Sequence, residues 1–477
     1  MEIIIGRRNE QLLLEKALKS NEPELIAIYG RRRVGKTYLV RQYFNRHLLF
    51  DFSGVNNEFS KTQLLNFRNT LVAAAKQQIP PSAPESWTQA FMQLQQFVEP
   101  QIKKTKGVIF LDEFPWLNSQ RSGFLKAFEF FWNSWASRQP NLIVVICGSA
   151  ASWMIQKIVN NRGGLHNRIT RKIRLMPFTL KESLEYLRYK KVNLDEYQVL
   201  QLYMAMGGIP QYLKEVETGQ SATQNIDRIC FTKDGQLQNE FTNLYRSLFD
   251  AADKHIAIVR TLAEKSSGMT RTEISDAVGI ATGGTLTELL AELEESGFIS
   301  SYLPYGKNVK YTIYKLADEY SRFYLKFMEN TRSSGHGTWS RIAATQSWAS
   351  WSGGAFESIC LKHIAQIKGA LGINGILTDE SIWRYVPGKG KPGAQIDLLI
   401  DRADHCISVC EMKFSVNKFT IDKRYADELQ NKLSVFADDS KTKKTLMLIM
   451  VTTFGVKDNV YRNSLVQNEI IIKDLFL

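Results

Sequence analysis

The sequence has 477 residues, of which 44% are hydrophobic and 23% are charged, and Lys plus Arg outnumber Asp plus Glu by 61 to 48. These proportions are those of a globular chain and exclude a disordered or fibrous protein. The net charge of +13 suits a polyanionic partner but indicates neither fold nor chemistry.

Cysteine usage and the apolar runs indicate the compartment. The 5 cysteines are scattered without a C-x-x-C pair, so neither a disulfide framework nor a zinc site is predicted. Residues 1–8 contain no long apolar stretch, so no signal peptide is expected. The longest apolar runs, such as Leu142–Cys147 and Leu446–Val451, are far too short to span a membrane. We therefore expect a cytoplasmic protein that does not associate with a membrane.

Residues 1–215 alternate between strand and helix patterns. The predicted strands are Leu25–Tyr29, Leu48–Phe52, Val108–Leu111 and Leu142–Cys147. This alternation is typical of an α/β domain with a parallel sheet covered by helices. Toward the end of the region the pattern becomes helical, and a capping box of Thr179 and Glu182 predicts a helix over Leu180–Tyr189. This helix would begin a small helical lid.

The next region, residues 245–327, is predicted to be a winged helix. Its predicted helices are His255–Glu264, Arg271–Val278 and Thr285–Ser296, with capping boxes at Thr270 and Thr285. Two predicted strands follow, Phe298–Leu303 and Lys310–Tyr314. Residues 328–354 are rich in Ser, Gly and Thr and are predicted to be a linker, which leaves residues 355–477 as the last domain.

A phosphate-binding pattern, G-x-x-x-x-G-K-[ST], directly follows the first predicted strand and precedes a predicted helix. It consists of Gly30, Arg31, Arg32, Arg33, Val34, Gly35, Lys36 and Thr37. The glycines would let backbone N–H groups approach phosphates, Lys36 would reach the β- and γ-phosphates, and the Thr37 hydroxyl would bind Mg²⁺. ATP and Mg²⁺ are the predicted cofactors.

Polar residues follow two further strands. Asp112 and Glu113 end the strand that begins at Val108, and Ser149 follows the strand that ends at Cys147. Asp112 would hold Mg²⁺, and Glu113 would act as the general base for the attacking water. Ser149 would sense the γ-phosphate from a neighbouring strand end. Together these motifs predict ATP binding and hydrolysis.

With these motifs, residues 1–215 resemble the archaeal-type ATPases of the AAA-related P-loop class. The resemblance also rests on residues 6–10, 111–117 and 207–210. It implies that Pro210 lies near the adenine, although a helix boundary explains the same proline. It further implies that Arg168 completes the phosphate site of its own or a neighbouring subunit, and a solvated or DNA-facing arginine is the alternative.

The third predicted helix of the winged helix carries acidic residues. Glu288, Glu292, Glu294 and Glu295 lie on it, and it contains no Lys or Arg. Such a helix would repel the phosphates of DNA. We therefore favour a module that transmits the ATPase state over one that reads DNA sequence.

Three carboxylates and a lysine mark the last domain. Glu357 lies on an early helix, Asp397 opens a strand at Ile396–Ile400, and Glu411 and Lys413 share one face of the next strand. Asp397 and Glu411 would bind Mg²⁺, Lys413 would orient water or offset phosphate charge, and Glu357 would assist the metal. Surface residues on ordinary strands would give the same pattern.

The order helix-Glu, strand-Asp, strand-Glu-x-Lys is similar to the PD-(D/E)XK nuclease superfamily, although Ile396 replaces the proline of its name. The last domain looks like the one that accompanies these ATPases. The sequence therefore predicts an Mg²⁺-dependent ATPase coupled through a winged helix to a metal-dependent DNA nuclease, with ATP and DNA as partners.

Three other functions fit parts of the sequence. One is a signal-transducing regulatory ATPase that switches by forming a homo-oligomer, whose nuclease-like domain binds a partner without cleaving DNA. A transcription factor is disfavoured by the acidic third helix. A helicase is disfavoured because no second ATPase core and no helicase motif set is found.

Overall fold

The computed structural model describes residues 3–76, 82–149, 151–159, 165, 167–331, 335, 337–385 and 393–477. The chain divides into two compact units. One comprises Met1–Pro177 and Leu248–Asp250, and the other comprises Phe178–Ser247 and Ala251–Leu477. Across the described residues, no helix is both long enough and apolar enough to cross a membrane.

The first unit is built on a five-stranded parallel sheet in the order β2-β3-β4-β1-β5. Its strands are β1 (Glu24–Tyr29), β2 (Leu48–Ser53), β3 (Gly107–Asp112), β4 (Leu142–Gly148) and β5 (Arg171–Arg174). The predicted α/β class and the four predicted strands are confirmed. The fifth strand was not predicted, because Ile173 is its single apolar residue and its burial comes from pairing with β1.

Helices surround this sheet. They are α1 (Arg8–Lys19), α2 (Lys36–Tyr43), α3 (Ser60–Ala75), α4 (Trp87–Val98), α5 (Phe114–Leu117), α6 (Phe124–Ser134) and α7 (Ala151–Met154). Every residue of β3 and β4 is buried, as expected for central strands of a parallel sheet covered on both faces. Aromatic side chains from α3, α4 and α6 form much of the core, with the rings of Phe91 and Phe131 stacked at 5.0 Å.

The second unit is richer in helices. They are α8 (Leu180–Tyr189), α9 (Glu196–Met206), α10 (Pro210–Leu213), α11 (Ala222–Ile226), α12 (Glu240–Arg246), α13 (Ala252–Glu264), α14 (Arg271–Val278), α15 (Gly284–Glu295), α16 (Glu319–Phe323), α17 (Thr338–Ala343), α18 (Gln346–Lys362), α19 (Ile364–Ala370), α20 (Lys423–Ser440) and α21 (Val460–Leu465). The predicted capping box at Thr179 opens α8. Helix α8, which was predicted to begin the lid, belongs to this unit.

A small antiparallel sheet in the order β6-β8-β7 accompanies α13, α14 and α15. Its strands are β6 (Met269–Thr270), β7 (Ile299–Tyr302) and β8 (Ile313–Leu316). The capping box at Thr270 is confirmed. The one at Thr285 is wrong, because Gly283 is the N-cap and Thr285 lies within α15. Strand β8 begins later than predicted, because Val309–Tyr311 forms a 3-10 turn.

The second sheet of this unit has five strands in the order β13-β12-β11-β10-β9. They are β9 (Thr378–Tyr385), β10 (Ala394–Arg402), β11 (Cys406–Lys413), β12 (Thr445–Thr452) and β13 (Asn468–Ile471). Strands β9, β10 and β11 pair antiparallel, whereas β11, β12 and β13 pair parallel. The two strands predicted here, which correspond to β10 and β11, are confirmed.

The loop between β7 and β8 is attached to this second sheet. Pro304 bridges to Ile382 of β9, and the backbone N–H of Tyr305 donates to the Ile382 carbonyl at 2.9 Å. The Tyr305 ring packs against Phe436 at 5.3 Å between centroids. The loop therefore continues the pairing of the edge strand.

The segment 328–354 was predicted to be a linker, but in the structure it contains helices with buried side chains. Helix α17 and the first half of α18 lie within it, and Trp339 and Trp348 are 2% and 7% exposed. Their rings meet edge to face at 5.0 Å. The Ser, Gly and Thr residues suggested a linker by composition, but burial of tryptophan outweighs that tendency.

Trp339→Ala tests this correction. Because a buried indole would be replaced by a cavity, we expect the free energy of unfolding to fall by about 3–5 kcal/mol. Urea unfolding would measure the loss. Leu377→Ala, at a side chain that is 81% exposed, should change stability little. Equal stabilities for both variants would restore the linker description.

His363 joins the start of α8 to the end of α18 within the second unit. Its Nε2 accepts the backbone N–H of Leu180 at 3.1 Å, and its Nδ1 donates to the Ile359 carbonyl at 2.7 Å. The ring is buried, and this burial lowers the pKa of His363 to about 4. A neutral imidazole therefore holds the two helices together.

The lowered pKa of His363 predicts a pH dependence of stability. Unfolded histidine takes up a proton near pH 6.5 but the folded ring does not, so stability should fall as the pH falls from about 7 to about 4, by up to about 3 kcal/mol. Urea unfolding across this range would measure the slope. His363→Gln should reduce the slope, whereas His405→Asn, at an exposed histidine, should not. Equal slopes for both variants would contradict this role.

Candidate functional site

The predicted phosphate loop connects β1 to α2. Gly30 has φ 142° and a Cβ there would lie 2.3 Å from the Leu175 carbonyl oxygen, so only glycine fits. Arg33 and Gly35 also have positive φ, 73° and 91°, and Gly35 is the N-cap of α2. The loop therefore presents backbone N–H groups and the amino terminus of α2 toward one space, the arrangement that binds phosphate.

Lys36 is the first residue of α2 and is 5% exposed. Its Nζ donates to the carbonyl oxygens of Gly30 at 3.0 Å and Arg31 at 2.8 Å. Burial lowers the pKa of Lys36, while the negative charges of Glu113 and Asp112 oppose that change. An incoming phosphate would supply the counter-charge that this buried amine lacks.

Thr37 and Asp112 lie together at the ends of α2 and β3. The Thr37 hydroxyl donates to Asp112 Oδ2 at 2.7 Å, and the backbone N–H of Glu113 donates to Asp112 Oδ1 at 3.0 Å. Asp112 is buried. A hydroxyl and a carboxylate are the oxygen donors that Mg²⁺ prefers, so these residues fit the predicted ion.

Glu113 and Ser149 lie at the ends of β3 and β4, which are adjacent strands. The Ser149 hydroxyl donates to Glu113 Oε1 at 2.7 Å, and its backbone N–H donates to Oε2 at 3.2 Å. Glu113 itself has φ 44°, a left-handed conformation that costs a non-glycine residue about 1 kcal/mol or more. Ser149 therefore orients the carboxylate that was predicted to act as general base.

Two further site residues are implied by the family resemblance. Arg168 belongs to the first unit and is exposed, and its neighbours Gly164 and His166 lie outside the described residues. Pro210 belongs to the second unit and is the first residue of α10. Its missing N–H is compatible with that helix start. The roles of both residues stay predictions.

A second cluster lies at the ends of β10 and β11. The Met412 backbone N–H donates to Asp397 Oδ2 at 3.0 Å, and Glu411 is 1% exposed. Burial and the negative charges of Glu411 and Glu357 raise the pKa of Asp397. The three carboxylates therefore interact through their charges.

Glu357 lies on α18 and is paired with a lysine that the sequence did not indicate. Lys315 of β8 donates to Glu357 Oε1 at 2.7 Å, and its side chain is 7% exposed. Arg322, which is half-buried, donates to the Gly354 carbonyl nearby at 2.9 Å. The small antiparallel sheet thus contributes a cation to the carboxylate cluster.

Glu411 is surrounded by three donors. Lys413 Nζ lies 3.1 Å from Oε1 and the Tyr425 hydroxyl donates to the same oxygen at 3.0 Å. Lys432 donates to Oε1 at 2.7 Å and to Oε2 at 2.8 Å. Burial favours a raised pKa for Glu411, but the charges of Lys413 and Lys432 outweigh burial and lower it.

Tyr425 and Lys432 were missed by sequence reasoning. They lie seven residues apart on α20, so they share a helix face with the buried residues Leu429 and Phe436. A lysine on an otherwise apolar helix face was the signal that could have found Lys432. Its partner could not be identified, because the partner lies on a strand rather than on the same helix.

The fit of the second cluster to a metal ion is partial. Among the described residues, no group of three or more His, Cys, Asp or Glu side chains is arranged to hold a metal. Asp397 and Glu411 offer oxygen donors of the right chemistry, but both oxygens of Glu411 accept hydrogen bonds from the chain itself. A divalent cation would have to compete with these donors.

Comparison with known proteins identifies the first region. Residues 5–216 match a family described as "ATPase domain predominantly from Archaea". An uncharacterized protein of Methanocaldococcus jannaschii is 26% identical over 331 residues, 68% of this chain and 69% of that protein. An uncharacterized ATP-binding protein of the same organism is 42% identical over 41 residues, 9% of this chain and 70% of that protein.

Among solved structures, the Walker-type ATPase of Pyrococcus abyssi is 20% identical. The alignment covers 68% of this chain and 96% of that chain, with a TM-score of 0.47.

Proposed function

We propose that this chain, whose residues 5–216 form an ATPase domain of the archaeal type, hydrolyses ATP and couples hydrolysis to a metal-dependent DNA nuclease domain. The observation that carries the first half is the convergence of the loop after β1 with Asp112, Glu113 and Ser149 at one edge of the sheet. Strand β4 lies between β1 and β3, which brings these groups together.

The chemistry of hydrolysis follows from these positions. Backbone N–H groups of the loop and the Lys36 amine would bind the β- and γ-phosphates. Thr37 and Asp112 would hold Mg²⁺, whose charge neutralises the phosphate oxygens when it is bound. Glu113 would accept a proton from the attacking water, and Ser149 would hold the Glu113 carboxylate in position for that transfer.

Glu113→Gln separates hydrolysis from binding. An amide cannot accept the proton from water, so phosphate release should fall by about 10²–10⁴-fold while nucleotide binding persists. Phosphate release and the fluorescence of a labelled ATP analogue would measure the two properties. Lys36→Ala should weaken binding itself, and Glu99→Gln, at an exposed glutamate, should change neither. Unchanged hydrolysis in Glu113→Gln would remove this residue from the mechanism.

Residues 252–316 support the winged-helix part of the proposal. Three helices, α13 to α15, accompany an antiparallel sheet in which β7 and β8 form a hairpin. The acidic side chains of α15 partly serve the fold, because Glu292 pairs with His255 at 2.8 Å and Glu294 accepts the Ser301 backbone N–H at 3.2 Å. We propose that this module transmits the ATPase state and that α15 does not enter the DNA major groove.

The nuclease part of the proposal rests on the carboxylate cluster and its setting. Asp397, Glu411 and Lys413 lie on two adjacent antiparallel strands, and Glu357 lies on α18, earlier in the chain. The order helix-Glu, strand-Asp, strand-Glu-x-Lys is similar to that of the PD-(D/E)XK superfamily. Asp397 and Glu411 would hold a divalent cation that activates water, and Lys413 would face the phosphodiester.

Cleavage of linear and circular DNA with Mg²⁺ or Mn²⁺, with and without ATP, tests the coupling. Lys413→Ala should abolish cleavage, because charge developing on the phosphate loses its nearest cation. Lys36→Ala should leave cleavage that no longer responds to ATP. Lys443→Ala, at an exposed lysine, is the matched control. If DNA stays intact with wild-type protein that hydrolyses ATP, the nuclease proposal fails for those substrates.

A regulatory switch is the second candidate function. One observation favours it: Glu357 and Glu411 are already paired with lysines of the chain itself. In that reading ATP binding would drive homo-oligomer formation, and the second cluster would stabilise a partner-binding domain. The cleavage experiment distinguishes the two, because a switch would show ATP-dependent changes in mass without DNA products.

The compartment is part of the same proposal. The cysteines are free in the structure, with Cys147, Cys230, Cys360 and Cys410 buried and Cys406 half-buried. Burial raises the pKa of the Cys147 thiol well above its usual range, which makes that thiol unreactive. Reduced cysteines agree with a cytoplasmic location.

A further inference from the structure

We propose that Lys432 is a positioning residue that holds the Glu411 carboxylate in the metal-free protein and competes with a divalent cation for it. This inference rests on the proposed metal site at Asp397 and Glu411. It adds a residue that the sequence pattern did not contain, and it explains how the cluster is stable without an ion.

The geometry around Glu411 carries the inference. Lys432 contacts both carboxylate oxygens, at 2.7 and 2.8 Å, whereas Lys413 contacts one at 3.1 Å. The Glu411 side chain is 2% exposed and that of Lys432 is 22% exposed. A buried carboxylate is costly unless a cation or several donors satisfy it. Lys432 therefore compensates the buried Glu411 charge more than Lys413 does.

The packing of α20 against the sheet fixes the position of Lys432. Leu429 and Phe436 are buried on the same face and fix the helix against the sheet. Tyr425, two turns earlier on that face, donates to Glu411 Oε1 at 3.0 Å. The helix thus brings the Lys432 amine and the Tyr425 hydroxyl within hydrogen-bond distance of Glu411.

Charge balance explains why the lysine would compete with a metal. Glu357, Asp397 and Glu411 are three carboxyl groups, and Lys315, Lys413 and Lys432 are three amines that face them. A divalent cation added to this set meets an environment without excess negative charge. Removing Lys432 takes one positive charge away from Glu411, where the cation would bind.

Mn²⁺ binding to the full chain, followed by electron paramagnetic resonance without nucleotide or DNA, tests this competition. Only the Mn²⁺ binding that is lost in Asp397→Asn is assigned to the carboxylate cluster. Lys432→Met should tighten that part on the order of tenfold, because the competing charge is gone. Lys432→Arg keeps the charge and should bind like wild type. Lys423→Met, at an exposed lysine of the same helix, is the matched control.

The outcomes separate this inference from the function on which it rests. If Asp397→Asn lowers Mn²⁺ binding but Lys432→Met binds no more tightly than wild type, the proposed metal site stands and the role of Lys432 is overturned. If Asp397→Asn and Glu411→Gln leave Mn²⁺ binding unchanged in every background, the metal site fails and the inference fails with it. Thermal unfolding of Lys432→Met and Lys432→Arg shows that both are folded before binding is compared.

Discussion

The order of strands in the parallel sheet is the constraint on which the nucleotide site depends. Because β4 lies between β1 and β3, the loop that begins at Gly30, the carboxylates that follow β3 and Ser149 all reach the same edge. Ser149 can then bond Glu113 with both its hydroxyl and its backbone N–H. Had β3 been the neighbour of β1, Ser149 would stand on the far side of Glu113 from the phosphate loop.

The two sites neutralise buried charge in opposite ways. In the first, the Lys36 amine is held by neutral carbonyl groups, so an anion can bind without breaking an ion pair. In the second, Glu411 is already paired with Lys413 and Lys432. The first site could thus accept an anion directly, whereas a divalent cation at the second would have to displace a lysine.

Much of the first site could be predicted because its signals are local in the sequence. The phosphate loop, Asp112 with Glu113, and Ser149 each follow a buried strand, and parallel strands bring their ends together. The carboxylates at Asp397 and Glu411 were predicted from another local signal, because each lies on an apolar strand and the two strands follow one another closely in the sequence.

What could not be predicted depends on contacts between distant elements. Lys315 and Lys432 meet their carboxylates across 42 and 21 residues of sequence, and no local pattern indicates either pair. Around Trp339 the local composition was misleading. The small polar residues beside it predicted a linker, although the Trp339 ring is buried. The Thr285 capping box was misjudged because a glycine two residues earlier could serve as N-cap equally well.

The attachment of the hairpin loop to β9 has a mechanical consequence. The Tyr305 backbone bonds to Ile382, so the loop is tied to the edge strand of the five-stranded sheet. The tip beyond it carries Lys307 and Lys310, both exposed, with the Lys310 amine 4.9 Å from the centre of the Tyr311 ring. The attachment therefore restricts how far this basic tip can swing away from the edge strand.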